Sequence, residues 1–573
     1  MSSTAGPASP ARSQPSRGNP LVHRQLAHYP STNPRFAYLA ITVAATVVLY
    51  YELYIPGAVA TQIITYFHIS FSQFVFISVV GNLVGAFGSL AAGFADRWGR
   101  ANLVVGGLFL TGLIVLFALP HASNGTVYLL EFAVLSMVEG MILVATPALI
   151  RDFSPQLGRA SAMGFWTLGP VLGSLMVTEV SSHTLGAHPD WQFQFYVCGI
   201  IGLVVAVIAL LFLRELSPGL RDQLMVSMND RQLIEARASQ IDESKVHQGQ
   251  WRQMMRLDVV GSAFAISIFL IFYYIAVGFF VVYFATIFGY TPERANALAN
   301  WYWLPNAIAL VVAGLISDKL GVRKPLMIVG AVVSAIGLFI FALKATTPGT
   351  SYETFRALLI LISAAQGVTY CAWMASFTET VEKHNPAATA TGLATWGWTI
   401  RIVICLTLVG FGAALPATSI LVDKGAEVKT LATQYAPQLA TVGGITPVNL
   451  AALEKNPTSP AAGAAAVGDL IKSGVAKSPA DAVKQLTFLG THPIPAADGA
   501  YLKANGADVQ KAAKDSPGQW KTWWMICAGA ELLFIPFVFL MVGRWSPRKA
   551  REDAAAHEEL VQRELAALQP QTT

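Results

Sequence analysis

Twelve blocks of mostly apolar sequence, each about 20 residues or longer, constrain this chain more than any other feature. A helix of that length crosses the roughly 30 Å core of a lipid bilayer. The chain is 54% hydrophobic and 12% charged, about half the charged fraction of a soluble domain. We therefore predict an all-α membrane protein with twelve transmembrane helices, at 36–66, 72–95, 102–120, 127–150, 160–181, 193–213, 258–286, 296–317, 325–343, 357–378, 390–415 and 523–543.

Two long polar stretches interrupt these blocks and define the predicted domains. The first, 214–257, is a linker that separates an N-terminal bundle of six helices from the rest. The second is an insertion between helices 11 and 12, for which we favour a solvated cap or spacer over a binding module because it carries no chemical motif. The predicted divisions are a disordered tail at 1–35, a bundle at 36–213, the linker, helices 7 to 11 at 258–415, the insertion at 416–520, helix 12 at 521–543 and a tail at 544–573.

Basic residues are unevenly shared between alternate loops, which indicates orientation because Lys and Arg concentrate on the cytoplasmic side. The loops of one side and the C-terminal tail hold Arg97, Arg100, Arg151, Arg159, Lys319, Arg323, Lys324, Arg544, Arg548, Lys549 and Arg551. The short loops of the other side hold only Arg294, Lys344 and Arg356. We predict a multi-pass protein of the plasma (inner) membrane, with both termini cytoplasmic and the insertion outside.

The two halves of the chain repeat one another at a nearly constant offset. Asp96 and Asp318 stand 222 positions apart in similar loops, and "SMVEG" at 136–140 precedes "SAAQG" at 363–367 by 227 positions. Gly164 lies 228 positions before Gly392 in a third similar pair. Such self-similarity indicates a duplicated unit, so we predict two pseudo-symmetric six-helix bundles.

The loops after blocks two and eight carry similar charged turns, "GFADRWGR" at 93–100 and "GLISDKLGVRK" at 314–324. They resemble the signature loop of the major facilitator superfamily of transporters, Gly-x-x-x-Asp-Arg/Lys-x-Gly-x-Arg/Lys, except that Ala92 replaces the first glycine of the first copy. The resemblance covers nearly all of the chain outside the tails and the insertion, and it implies that these loops latch an inner gate. The implied gating residues are Asp96, Arg97, Gly99, Arg100, Gly314, Asp318, Lys319, Gly321 and Arg323.

Two shorter motifs extend this resemblance. "DFSPQLGR" resembles a family pattern in which Asp152 and Arg159 join the same gate network. "GPVLG" at 169–173 resembles part of the Gly-Pro motif of proton/drug antiporters, although Phe165 and Ser174 stand where further glycines are expected. A close-packing kink is the alternative that we favour for this second motif.

Three charged residues lie near the middle of apolar blocks: Glu52, Glu139 and Arg401. A charge at that depth costs at least about 3 kcal/mol, so such residues normally face the bundle interior and a partner. We predict that Arg401 binds an anionic substrate or pairs with one carboxylate, while Glu52 or Glu139 carries a proton. The structural alternative is a glutamate that is always protonated and only bonds a neighbouring helix.

Aromatic and amide side chains at similar depth are further candidates for the substrate site. "YYE" at 50–52 resembles an element of proton-coupled sugar porters, but Ser136 stands near the position of the basic residue that those carriers have in helix four. A sugar-porter mechanism is therefore not transferred to this chain. The predicted substrate-binding residues are Arg401, Tyr50, Tyr54, Asn306, Gln366, Tyr370 and Trp398.

These features favour a monomeric secondary active transporter, a symporter that moves a small organic solute with protons by alternating access. Organic anions are the favoured substrates because of Arg401. Nucleotide-binding, metal-binding and nucleophile motifs are not found, so we expect no cofactor, no metal, no nucleic acid partner and no enzymatic activity. The alternatives are a proton/drug antiporter for multidrug efflux and a non-transporting membrane sensor that uses the insertion.

Overall fold

The computed structural model describes residues 24–90, 99–153, 158–217, 220, 250–385 and 389–568. Short two-residue strands, β1 (Gln25–Leu26) and β2 (Glu215–Leu216), pair in parallel, and almost everything else is helical. The principal helices in these ranges are α1 (Thr32–Ala58), α2 (Phe71–Leu90), α3 (Arg100–Leu113), α4 (Gly125–Phe153), α5 (Gly158–Thr184), α6 (Trp191–Phe212), α7 (Ile271–Phe288), α8 (Pro292–Leu320), α9 (Lys324–Lys344), α10 (Tyr352–His384), α11 (Thr389–Ala414) and α12 (Ala496–Val538).

In the described part of the chain, 11 of these helical segments are long and apolar enough to cross a membrane. The exception is α5, whose 27 residues include many Gly, Ser and Thr residues that dilute its apolar character. The membrane span that contains α7 runs from Leu257 to Phe288, so it also includes the preceding helix Ser262–Phe269. The prediction of an all-α membrane protein is confirmed, and α5 occupies the place of the remaining predicted span.

The helix contacts repeat between the two halves. Helix α2 packs on α4 and α3 on α6, as α8 packs on α10 and α9 on α12. The halves meet where α5 contacts α8, where α2 contacts α11, and where α1 contacts α7. The first two of these pairs are equivalent under the sequence repeat, so the structure has the pseudo-symmetry that a duplicated six-helix unit requires.

Glycines set the closest approaches between these helices. A Cβ atom on Gly140 of α4 would lie 2.2 Å from the carbonyl oxygen of Gly85 on α2. Between the halves, a Cβ on Gly57 of α1 would lie 2.1 Å from the carbonyl oxygen of Val277 on α7. Real Cβ atoms do not come so close, so small residues are required at both crossings.

The chain before α1 corrects the predicted extent of the disordered tail, because residues 24–31 pack against the bundle. Arg24 is buried and donates to the carbonyl oxygens of Ala209, Leu210 and Leu213, at 3.1, 2.6 and 3.3 Å, and to the side chain of Asn102 at 3.0 Å. A guanidinium that satisfies the last carbonyls of α6 stabilises that helix end. Composition alone hides this contact, since Asn102 lies 78 positions away and the three carbonyl partners lie 185 to 189 positions away.

The insertion is helical and continuous with the membrane domain. Its helices are Pro416–Ile420, Ala426–Gln434, Ala436–Gly443, Pro447–Lys455, Pro460–Lys472 and Pro479–Thr491, with a small apolar core around Leu470. The predicted boundary at 520/521 is not an element boundary, because α12 begins at Ala496 inside the insertion and runs unbroken for 43 residues. We call the side of the protein that carries the insertion the insertion face, and the opposite side, which carries Arg24 and the C-terminal helix Pro547–Leu568, the termini face.

Candidate functional site

A cavity of about 140 Å³ lies between the two halves. The N-terminal half contributes residues of α1, α2 and α4, and the C-terminal half contributes residues of α7 and α11. Among the lining residues are Leu53, Tyr54, Phe74, Ser78, Asn82, Phe132, Ser136, Glu139, Tyr274, Phe279, Arg401 and Ile404. The site is therefore a mostly apolar and aromatic chamber with one basic and one acidic side chain.

Arg401 and Glu139 are the two charged residues of this cavity lining, and they come from opposite halves. Arg401 is partly exposed and interacts electrostatically with Tyr50 and Tyr274. Glu139 is 1% exposed, and neither of its carboxylate oxygens has a hydrogen-bond partner among the described residues. An acid in this setting costs less when it carries a proton than when it is charged, unless a cation approaches it.

Glu52, the other predicted proton carrier, does not line this cavity. Its carboxylate is fully buried and packs against α6, where a Cβ atom on Gly202 would lie 2.0 Å from Oε1. Glu52 still interacts electrostatically with Glu139 through the bundle. Of the two predicted proton carriers, Glu139 is therefore the one that lines the central cavity.

The two tyrosines of α1 have different surroundings. Tyr54 lines the cavity, and its ring lies 5.4 Å from that of Tyr50. Tyr50 packs against α5, where a Cβ on Gly173 would come within 2.6 Å of the Tyr50 Cβ. The glycines of "GPVLG" thus allow α5 to pack closely on α1.

Asn306 and Gln366, predicted as substrate-binding residues, instead bond neighbouring helices inside the C-terminal half. The Asn306 amide donates to the carbonyl oxygen of Ser363 at 3.0 Å. Gln366 donates to Oε1 of Glu531 at 2.6 Å and accepts a hydrogen bond from the Tyr302 hydroxyl. These bonds link α8, α10 and α12, and both Asn306 and Gln366 are buried inside the C-terminal half.

Glu531 is a buried acid that the sequence analysis missed. A signal was available, since it is the acidic residue of an apolar block and lies 329 positions after Gly202, as Cys527 lies 329 after Cys198. Each half therefore contains a buried carboxylate, Glu52 on α1 and Glu531 on α12.

The remaining predicted substrate residues lie elsewhere. Tyr370 lines a second cavity of about 180 Å³ between α5, α8 and α10, together with Asp318 and Arg323. Trp398 is 38% exposed and does not line the central cavity. Of the seven predicted substrate residues, Arg401 and Tyr54 line the central cavity.

Comparison with known proteins agrees with this architecture. The sequence profile of the Major Facilitator Superfamily matches residues 42–280 and 262–422. The chain belongs to the major facilitator superfamily. Membership makes it a membrane transporter, and the resemblance that the charged loops suggested is confirmed.

Two solved structures of major facilitator transporters are similar to this chain in fold, at low sequence identity. A bacterial homologue of the human lysosomal transporter Spinster, inward-facing and unoccupied, has a TM-score of 0.54 at 14% identity, with 90% of this chain and 100% of that chain covered. The xylose transporter XylE from E. coli, in a partially occluded inward open conformation, has a TM-score of 0.50 at 14% identity, with 68% and 97% covered.

A curated relative matches over a short segment. The efflux pump radE of Floropilus chiversii is 37% identical over 70 residues, which is 12% of this chain. The chain thus matches only 13% of the length of that relative.

The first charged loop of this superfamily member is described in part, since Asp96, Arg97 and the side chain of Arg159 lie outside the described residues. Arg100 forms an ion pair with Asp152 at 2.8 Å, which joins the start of α3 to the end of α4. The Arg100 backbone N–H also donates to Glu215 at 2.7 Å. Gly99 has a φ of +89° and lies against the Glu215 carboxylate, so a side chain would be strained there and would collide with it. The motif therefore links α3, α4 and the end of α6.

The second charged loop has a comparable arrangement at the end of α8. Arg323 forms ion pairs with Asp318 at 2.8 Å and with Glu379 of α10 at 3.2 Å. Gly321, with a φ of +66°, ends α8 in the left-handed conformation that favours glycine. Lys319 is exposed, and Gly314 lines the second cavity. The described residues of both loops lie on the termini face.

Hydrogen bonds join the two halves on the insertion face. The Asn296 amide of α8 donates to the carbonyl oxygen of Ala58 at 3.0 Å. The Asn300 amide donates to Glu179 of α5 at 2.5 Å and to Ser182 at 3.3 Å. The first contact joins α8 to α1, and the Asn300 contacts join α8 to α5 on that face. By contrast, the second cavity separates α5 from α8 and α10 nearer the termini face.

Proposed function

We propose that this transporter is a proton-coupled carrier of a small organic anion, with the anion bound at Arg401 and the coupling proton on Glu139. The observation that carries the proposal is that both residues line one cavity between the halves. A site at the interface of two pseudo-symmetric repeats is exposed to each side in turn when the repeats rock against each other. The transporter is proposed to act as a monomer in the plasma membrane, with both termini in the cytoplasm.

Arg401 supplies the anion selectivity. Its guanidinium remains charged at any physiological pH and offers donors that match the geometry of a carboxylate. An anion in the cavity neutralises a charge that is otherwise costly at this depth. The rings of Phe74, Phe132 and Phe279 form apolar walls around it, so the favoured substrate has one anionic group on an apolar body.

Glu139 supplies the coupling. When the carboxyl group is protonated, the loaded cavity contains Arg401 and the anion and has no net charge. When the proton leaves to the other side, the Glu139 carboxylate competes with the anion for Arg401, which favours release of the substrate. Because one proton accompanies each anion, an inward proton gradient drives accumulation. Glu52 acts on this step only at a distance, through its electrostatic interaction with Glu139.

The test is transport in proteoliposomes with an imposed pH gradient. Organic monocarboxylates with apolar bodies are screened against their uncharged methyl esters, and only the acids should accumulate. We expect Glu139→Gln to abolish gradient-driven accumulation while counterflow exchange survives, because exchange needs no net protonation cycle. Glu52→Gln is the matched control and should keep both activities. Accumulation by Glu139→Gln at the parent rate would contradict the assignment of the proton.

Arg401 is tested in the same vesicles. Removing a charged partner from a buried site costs about 3 kcal/mol or more, and partial exposure lowers this cost. We therefore expect Arg401→Ala to weaken binding of the anion by at least about tenfold. Arg401→Lys should fold normally and bind weakly, since an ammonium lacks the planar fork. Binding by Arg401→Ala at the parent affinity would contradict the anion site.

A second candidate is proton-coupled efflux of apolar organic compounds. The observations that favour it are the 70-residue similarity to a protein described as an efflux pump and the aromatic walls of the cavity. Transport measured in proteoliposomes with a pH gradient of either direction separates the two functions. An antiporter moves an uncharged or cationic compound in the direction opposite to the protons, and Arg401→Ala should leave that activity intact.

A further inference from the structure

The first turn of α2 carries a contact that joins the insertion to the N-terminal half. Ser70 and Gln73 form a reciprocal cap, in which the Ser70 N–H donates to Gln73 Oε1 at 2.8 Å and the Gln73 N–H donates to Ser70 Oγ at 3.1 Å. The next backbone donor, the Phe71 N–H, lies outside this cap. It donates to Oδ1 of Asp423 at 2.7 Å, and Asp423 lies 352 positions along the chain. A carboxylate at a helix N-terminus is favourable because it accepts an otherwise unpaired N–H and complements the helix dipole.

Further hydrogen bonds attach Asp423 and the helix before it to the C-terminal half. The Ser419 hydroxyl donates to its other carboxylate oxygen at 3.2 Å. The helix that precedes it, Pro416–Ile420, is tied to α12, since the Ala417 N–H donates to Gln519 at 3.0 Å and the Thr418 and Ser516 hydroxyls lie 2.8 Å apart. The carboxylate therefore moves with the C-terminal half, whereas the N–H that it binds moves with α2.

The side chain of Phe71 makes a second contact across the same boundary. Its ring lies 5.8 Å from that of Phe279 and 6.0 Å from that of Phe411, and those two rings lie 4.7 Å apart. Phe71 is fully buried, and Phe279 lines the central cavity. Phe71 of α2 is thus bound to the C-terminal half by its backbone N–H and by its ring, on the insertion side of the cavity.

We propose that Asp423 is a latch of the insertion-face gate, with the base of the insertion as the gate element that carries it. Opening this face moves α2 away from α11, so it must break the bond between Asp423 and Phe71 and leave the first N–H of α2 without its acceptor. The latch therefore stabilises the conformation that is closed on the insertion face. The proposal gives the insertion a part in the transport cycle, and it requires neither the anion nor the proton assignment.

The test measures the closed and open populations directly in the full-length protein. Spin labels are placed on the insertion face at Ser123 and Thr347, exposed positions in the α3–α4 and α9–α10 connections, in a background in which the four native cysteines are alanine. Pulsed dipolar distances between the labels report the separation of the halves. No substrate is needed, so failure of the proposed function leaves this result unaffected.

Asp423→Ala removes the acceptor. Loss of a helix N-terminal cap typically costs about 1 kcal/mol, so the ratio of open to closed protein should rise about fivefold. Asp423→Asn keeps an acceptor oxygen and should keep the parent distances. The matched control is Asp469→Ala, which removes a carboxylate that bonds only Thr446 and Asn449 within the insertion, and it should also keep the parent distances.

Ser419→Ala provides a milder second variant in case Asp423→Ala does not fold. Without the hydroxyl, the carboxylate is held less firmly, and we expect an increase in the open population of about twofold. The latch is refuted if the labels of folded Asp423→Ala keep the parent distances. It is also refuted if Asp469→Ala opens this face as much as Asp423→Ala does.

Discussion

Gly202→Ala probes the packing of Glu52 against α6. The added Cβ would lie 2.0 Å from Glu52 Oε1, whereas ordinary contacts begin near 3.4 Å, so the carboxylate must retreat by about 1.4 Å. Glu52 is fully buried, so its carboxylate must make this shift inside a packed interior. Overpacking of this kind costs about 1–3 kcal/mol, offset by the gain of up to about 1 kcal/mol that alanine brings to a helix interior.

Gly106→Ala is the matched control, because Gly106 of α3 has no atom within 4 Å of its added Cβ. The helix propensity gain is common to both variants, so the difference between them isolates the collision. Thermal unfolding of the purified protein in detergent should place Gly202→Ala about 1–3 kcal/mol below Gly106→Ala. Adding Glu52→Ala should relieve the collision, with a coupling free energy of at least about 1 kcal/mol in a double-mutant cycle. Equal stability of the two single variants would refute the packing of Glu52 described above.

Three further predictions concern the other buried and capping groups. Arg24→Ala should lower the free energy of unfolding by about 1.5–3 kcal/mol in detergent, since a charged donor to the end of α6 is lost. Glu531→Gln should be nearly neutral in the same assay because its oxygen still accepts from Gln366, whereas Glu531→Ala should cost at least about 1–3 kcal/mol by leaving that amide unpaired. The Thr446 and Asn449 donors hold the pKa of Asp469 below the ordinary value of 3.8, so this carboxylate stabilises the folded insertion above that pH. Hydrogen-exchange protection near Asp469 should therefore fall when the pH is lowered below 3.8. The fall should be smaller in Asp469→Asn, which has no carboxylate to protonate.

The helices, their repeat and the candidate charges could be predicted from sequence because each depends on local composition or on spacing. The 54% hydrophobic content and its division into blocks reflect the bilayer, because every spanning segment must be apolar and must satisfy its own backbone hydrogen bonds. Arg401 and Glu139 stand out because a charge in an apolar block has few explanations. The same reasoning applied to Glu531, which was overlooked although it stands in such a block.

The partners of those residues could not be predicted in the same way. Glu52 and Glu139 have similar sequence surroundings, yet one packs on Gly202 and the other lines the cavity. Which face of a helix turns inward depends on its crossing with neighbours from distant parts of the chain. For Gln366, the sequence does not distinguish a substrate site from a helix contact, and the structure shows that its amide donates to Glu531.

The sequence by itself determined the membrane class, the duplicated unit and the superfamily, because these follow from hydropathy, periodic repetition and short charged turns. Only the tertiary structure decided that Arg401 and Glu139 share a cavity and that Asp423 of the insertion caps α2 of the opposite half. Both arrangements bring together residues more than 250 positions apart, because helices from the two halves meet around the central cavity and on the insertion face. Hydropathy and spacing along one chain do not contain the angles at which those helices cross.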